Sequence, residues 1–237
     1  EPGWRRPRCS ARLAARIVRP AHVEHRLLYD PTRHEPLQPA PWDEDCVRRT
    51  ITHIVDDTER HYTPDRYWPI HPRDAEPGDD PTLPATTLYW GACGVIWALH
   101  HLQDVGAVRL SRSYDDALDQ LLVRNRAWLD PSSGRGVASY LMGDTPIALL
   151  AQGLRPSTAN AEHLASLIAG NLDHPARELM WGAPGTLLAA LFLHEHTSEA
   201  RWAELFRQTA SKLWSQLEWS DEHDCAYWTQ DLYGHRS

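Results

Sequence analysis

Two acidic side chains stand just ahead of apolar segments, where a carboxylate could act on a bound substrate. They are Asp144, in Tyr-Leu-Met-Gly143-Asp-Thr-Pro146, and Glu178, in Glu-Leu-Met-Trp181-Gly182-Ala-Pro-Gly185. Inverting glycoside hydrolysis uses two carboxyls about 6.5–9.5 Å apart, one as acid and one as base, so a glycosidase is one reading of the pair. Each residue also has a structural reading. Asp144 can cap the helix that follows, with Pro146 in its first turn. Glu178 can be satisfied by the free N–H groups of a helix start.

Other candidate chemistry is set aside by spacing. His194 and His196 lie two residues apart, which on a helix puts them on different faces, and the zinc-protease spacing of i and i+4 is absent. The same geometry separates His100 from His101. Cys9, Cys46, Cys93 and Cys225 are scattered without a Cys-x-x-Cys pair, which favours neither a disulfide framework nor a zinc knuckle. Cys93 reads as a small, inert buried residue, and the cysteine usage as a reducing, cytoplasmic compartment. There is no Walker turn, no dinucleotide fingerprint and no Gly-x-Ser-x-Gly.

The elements that must position these residues alternate in character. Leu88–Leu102 and the segment after Gly182 share one pattern: an aromatic residue, then Gly-Ala-x-Gly (Gly91 and Gly94; Gly182 and Gly185), then an apolar helix. A surface helix would show a polar face. Leu187–Leu193 shows none, so it predicts a helix buried on most sides. Tyr140–Ala151 is a third such segment. Around them lie amphipathic helices. The first runs from about Asp43 to Tyr62, with Val47, Ile51, Ile54, Val55 and Tyr62 inward. The second opens on a capping box of Ser113 and Asp116 and buries Tyr114, Leu118, Leu121, Leu122 and Leu129. The third spans Ser157 to Gly170. The last starts at Ser198 or Glu199 and reaches about Leu217, with Trp202, Leu205, Phe206, Leu213, Trp214 and Leu217 on its apolar face. Gly106 ends the first apolar helix, residues 63–86 form a Pro-rich loop, and Ala226–Gln230 gives the one short strand signal. A repeated turn feeding a buried helix is the mark of a repeat architecture. The glycines read as places of close backbone approach or positive φ, and Trp90 and Trp181 as packing or cavity-mouth residues.

Composition bounds the rest. In 237 residues the net charge is −8, unevenly spread: residues 1–40 hold eight Arg against four acids, and the remainder 16 bases against 28 acids. An acidic body argues against nucleic acid as the main partner, and no apolar run approaches the roughly 18 residues that span a bilayer. Residues 1–40, interrupted by Pro2, Pro7 and Pro20, read as a disordered or non-native extension. Residues 41–237 form the folded domain. The absence of Met before Met142 and the aromatic-rich end suggest a fragment.

The ordered set of turns resembles the lanthionine synthetase C-like (LanC-like) family. Tyr-Trp-Gly91-Ala-Cys-Gly94-Val is similar to its first inner motif, and Tyr-Leu-Met-Gly143-Asp144 to its second, where Thr145-Pro146 departs from the usual Gly-Asp-x-Gly. Glu178-Leu-Met-Trp-Gly182-Ala-Pro-Gly185 is similar to the third, and Trp228–Gly234 to the segment leading to the fourth. The resemblance implies an all-α fold, an incomplete alpha/alpha toroid of the six-hairpin barrel type. Residues 41–237 would be its N-terminal half. It further implies that the intact protein adds a Cys thiol, of a dehydrated peptide or of glutathione, to a dehydroamino acid. Zinc would be held in the family's Cys-x-Gly and Cys-His-Gly motifs. Neither motif occurs in these 237 residues, so no zinc and no activity are expected of this chain alone. The resemblance places Glu178 toward the central cavity, as a residue to position substrate or shuttle a proton beside the new thioether. It makes Gly91, Gly94, Asp144, Trp181, Gly182 and Gly185 turn or cavity-lining residues. A non-catalytic module binding a peptide or protein is the remaining alternative.

Overall fold

Seven helices account for most of the fold, each where apolar periodicity and a break in the chain coincide. The computed structural model describes residues 40–71, 74, 83–129, 136–232 and 235–236. The expectations for residues 1–39 and for Tyr233 and Gly234 lie outside that set. The helices are α1 (Glu44–His61), α2 (Ala92–Asp104), α3 (Asp115–Trp128), α4 (Thr145–Leu154), α5 (Thr158–Gly170), α6 (Ala183–Thr197) and α7 (Ala200–Ser215). Two short antiparallel hairpins follow: β1 (Glu218–Ser220) with β2 (Cys225–Tyr227), and β3 (Asp231–Leu232) with β4 (His235–Arg236). The chain is all-α in class, and among the described residues no helix is long and apolar enough to cross a membrane.

Helix ends follow local chemistry in some places and depart from it in others. Ser157 accepts the Asn160 N–H at 3.2 Å and so caps α5. Gly106 takes a left-handed φ of +71° just past α2, with its N–H on the Gln103 carbonyl. The capping box expected at α3 does not form. Tyr114 is its N-cap, without a side-chain cap bond, and Ser113 instead accepts the Asp115 N–H. A buried Tyr114 ring, packed edge-on to Tyr62 at 5.1 Å, draws the chain inward and takes the cap position from Ser113.

α4 is the centre of the packing. It touches α2, α3, α5 and α6. Its Ile147 and Leu150 join a core with Val55, Ile96, Leu99, Leu118 and Leu121. Its Ala148 joins a second core with Leu164, Ile168, Ala189, Ala190 and Trp202. A helix with a core on both sides has no polar face to offer, which is why its sequence shows none. α2, α4 and α6 are successive neighbours, α3 packs on α2 and α4, and α5 and α7 pack on α6.

The apolar helices are not enclosed on every side. Trp97 of α2 is 53% exposed and Phe192 of α6 is 45% exposed, so each keeps an apolar strip open. On the amphipathic helices, Ile54 and Trp214 also fall outside the core, 59% and 77% exposed. In both cases the residue sits at the margin of its stripe.

Cys93 is completely buried near the start of α2. Burial disfavours its thiolate and pushes its pKa up from 9.0 to about 12. At pH 8 a thiol reagent should therefore label the exposed Cys46 and Cys225 readily and Cys93 only when the fold opens. Burial also raises the Tyr114 and Tyr140 hydroxyls. The folded state then holds protons that the unfolded chain releases, so stability is fully present below pH 9 and falls as pH rises toward 12. Urea melts at pH 7.5 and 10.5 check this, with the lower midpoint expected at pH 10.5.

Candidate functional site

The three apolar helices begin with the same joint, built from the same atoms. Four residues before each glycine stands an oxygen-bearing side chain: Thr87 before Gly91, Ser139 before Gly143 and Glu178 before Gly182. In each case its backbone carbonyl accepts the glycine N–H at 3.1 Å. In each case its side-chain oxygen accepts the N–H three residues on: Trp90 at 3.2 Å, Met142 at 3.0 Å and Trp181 at 2.7 Å. Glu178 uses its second oxygen on the Met180 N–H at 2.6 Å.

The glycines are required by space. Gly91 and Gly182 have negative φ values of −133° and −92°, which any residue can adopt, so conformational freedom is not the reason. A Cβ on Gly182 would run into the Ala176 carbonyl, and one on Gly143 into the Val137 carbonyl. Gly94 and Gly185 likewise lie against the carbonyls of Leu88 and Leu179. The third position of the second turn is Pro146 instead of glycine.

The turns are joined edge to edge. The N–H groups of Leu88 and Tyr89 both reach the Leu141 carbonyl, at 3.1 and 3.2 Å, and the Leu141 N–H reaches the Met180 carbonyl at 3.3 Å. The Ser139 hydroxyl also donates to the Met180 carbonyl. The helix starts of α2, α4 and α6 therefore form one continuous shelf.

Two buried asparagines hold this shelf from behind. Asn125, at the end of α3, donates to the Met142 carbonyl at 3.4 Å, and Asn171, just past α5, donates to the Trp181 carbonyl at 3.1 Å. Each thus ties the end of one helix, α3 or α5, to the residue preceding the next glycine. Asn125 does more: its amide oxygen accepts from the Thr86 hydroxyl at 2.8 Å, and its NH2 reaches Asp144 at 3.2 Å. The sequence reading did not single out either asparagine. A signal is present, since both close the pattern Leu-apolar-x-x-Asn, at Leu121–Asn125 and Leu167–Asn171.

Asp144 stands at the N-cap position of α4, and its carbonyl accepts the Ala148 N–H at 2.9 Å, but its side chain makes no cap bond. Its carboxylate has no exposed surface and pairs with Arg126 at 2.6 Å. The Asn125 amide and the guanidinium outcompete the helix N–H groups for its oxygens. A carboxylate sealed in this way has no face to offer a sugar, which removes one partner from the two-carboxyl glycosidase reading. Glu178 has both oxygens engaged by its own turn, and Trp181 joins that turn through its N–H and carbonyl while its ring packs over Gly136. Cys93 is held protonated by burial, and Tyr140, whose Cβ lies where a side chain on Gly185 would be, is raised by burial and then by the Cys93 sulfur.

The histidines have local roles. His101 stacks flat on Trp97 at 5.5 Å, and His194 faces the Glu199 carbonyl. Among the described residues, no three His, Cys, Asp or Glu side chains converge where a metal could be held. What the shelf presents outward is apolar: Tyr89 and Trp90, with ring centroids 5.8 Å apart, and Leu179, all about half exposed. The exposed side is thus apolar, with polar groups turned inward to hold the turns.

No family model, curated protein or solved structure matches this chain.

Replacing Asn125 by Leu keeps the branching of the side chain while adding bulk, and leaves the Thr86 hydroxyl and the Met142 carbonyl without the bonds that Asn125 makes to them. Urea denaturation should show a loss of about 2–4 kcal/mol with unchanged m-value. Asn171→Leu should cost less, about 1–2 kcal/mol, because one bond is lost.

Proposed function

We propose that residues 41–237 are the N-terminal part of a LanC-like alpha/alpha toroid. In this reading α2, α4 and α6 are inner helices, and α1, α3, α5 and α7 outer ones. The observation that carries it is the shelf: three equivalent glycine joints at one end of three neighbouring apolar helices, each hydrogen-bonded to the next. Helices begun in the same way and held side by side must point the same way, as inner helices of a ring do.

The intact protein would then join a Cys thiol, from a dehydrated peptide or from glutathione, to a dehydroalanine or dehydrobutyrine. The thiolate sulfur forms a bond to the β-carbon, the C=C electron pair moves onto the α-carbon and its carbonyl, and the α-carbon takes up a proton. Zinc would supply the lowered thiol pKa such an addition needs. The described residues do not fit zinc, since no donor set converges among them, so no step is assigned to it on this chain. The part played by these residues is binding: Tyr89, Trp90 and Leu179 form an apolar rim for the peptide beside its reacting residue. Glu178 holds the third joint, and would move a proton to the α-carbon only through lone pairs that its two backbone bonds leave open. The proposed compartment is the cytoplasm, where a free thiol substrate persists.

Titrating the purified chain with a short dehydroalanine-containing peptide, followed by tryptophan fluorescence, tests the reading. Saturable binding weakened about 3- to 10-fold by Trp90→Ala is expected, with well under one equivalent of zinc per chain by mass spectrometry. Binding indifferent to Trp90→Ala would remove the rim from the site. One equivalent of zinc would show that this segment carries its own donor set.

A further inference from the structure

The hairpin of β1 and β2 has no counterpart in the shelf, and its surface is unusual. Among the described residues each strand pairs with the other alone, so each leaves an open row of backbone N–H and C=O groups. Two strands of three residues are marginal in water without a covering layer. This hairpin is tethered at its base, where the Trp228 indole N–H donates to the Leu213 carbonyl at 2.7 Å and Arg177 donates to the Thr229 carbonyl. Trp219 lies opposite Ala226, and Trp228 follows directly on β2, at the base of the hairpin. Both rings remain exposed, Trp219 at 60% and Trp228 at 42%.

Charge decides what could cover this face. Glu218, Asp221, Glu222 and Asp224 belong to the hairpin, and no Lys or Arg occurs from Leu213 to His235. The three turn carboxylates are exposed. A second copy docking through this same face would bring the same four negative charges onto it, and a nucleic acid or anionic lipid surface would also be repelled. An arginine-rich segment matches every feature. Guanidinium groups pair with carboxylates and stack on indole faces, and an extended segment can add a strand to the free edge.

We propose that the β1–β2 hairpin is a docking surface for an arginine-rich, extended peptide segment of a partner protein. Trp219 and Trp228 supply the aromatic faces, and Asp221, Glu222 and Asp224 supply the charge.

Fluorescence anisotropy with labelled nona-arginine, at about 150 mM salt, tests it on the 237-residue chain. The expected result is saturable binding weakened at least 10-fold in the triple variant Asp221→Asn, Glu222→Gln, Asp224→Asn, and about 5-fold in Trp219→Ala. The control Asp45→Asn, Asp56→Asn, which removes exposed acids from α1, should bind like the parent, and all variants should melt like it. Equal weakening in the α1 control, or no effect of Trp219→Ala, would reduce the binding to unspecific attraction by an acidic protein and overturn the proposal. So would a doubled mass in light scattering that Trp219→Ala abolishes, since the face would then belong to a second copy.

Discussion

Where α6 begins, the carbonyl of Ala176 occupies the space that a side chain at position 182 would need, and the Glu178 carbonyl holds the Gly182 N–H beside it. A close backbone approach recurs where α2 and α4 begin, against the Thr86 and Thr87 nitrogens at Gly91 and the Val137 carbonyl at Gly143. A backbone folded this tightly creates N–H groups that no helix can satisfy. Thr87, Ser139 and Glu178 satisfy them with a hydroxyl or a carboxylate as the site allows. One requirement, room for passing backbone against a glycine, thus fixes a residue type at one position and a side-chain oxygen acceptor four residues earlier.

From that joint the remainder of the helical packing follows. The joints bind one another through Leu88, Tyr89, Leu141 and Met180, so α2, α4 and α6 are held in a row with apolar surfaces turned to their neighbours. α4, in the middle, is left with cores on both sides. Asn125 and Asn171 connect α3 and α5 to the row by polar bonds inside the protein. Such bonds contribute little net stability but are costly to leave unmade, and they select one register of helix against helix where apolar contacts alone would tolerate several. The buried Asp144, paired with the half-exposed Arg126, adds a charge to the same network at the α3–α4 junction.

Much of this was legible in the sequence because it rests on periodicity. The helix expected from Asp43 to Tyr62 is Glu44–His61, and that expected from Ser157 begins at Thr158 with Ser157 as its cap. The all-apolar run of Leu187–Leu193 gave the helix α6, and the Gly-x-x-Gly pattern located two of the three joints. What periodicity misses is competition among polar partners. Asp144 is a good cap by type, yet Arg126 and Asn125 are three-dimensional neighbours that claim its oxygens, and Tyr114 displaces Ser113 for a packing reason. The equivalence of Thr87, Ser139 and Glu178 was hidden for a similar reason: the joint asks for an oxygen at the right height, and two hydroxyls and a carboxylate do not look alike as letters. The open strips at Trp97 and Phe192 escaped notice because an apolar residue carries no mark of which neighbour, if any, will cover it.

Native-state hydrogen exchange at the amides of Trp90, Leu141, Met142 and Trp181 tests most directly whether the three joints form one unit. If they do, these amides exchange only when the whole row opens, with protection matching that of the α4 amides of Ala148 and Leu150. Rapid exchange at any one joint, while α4 stays protected, would contradict a shared shelf and leave three separate helix starts.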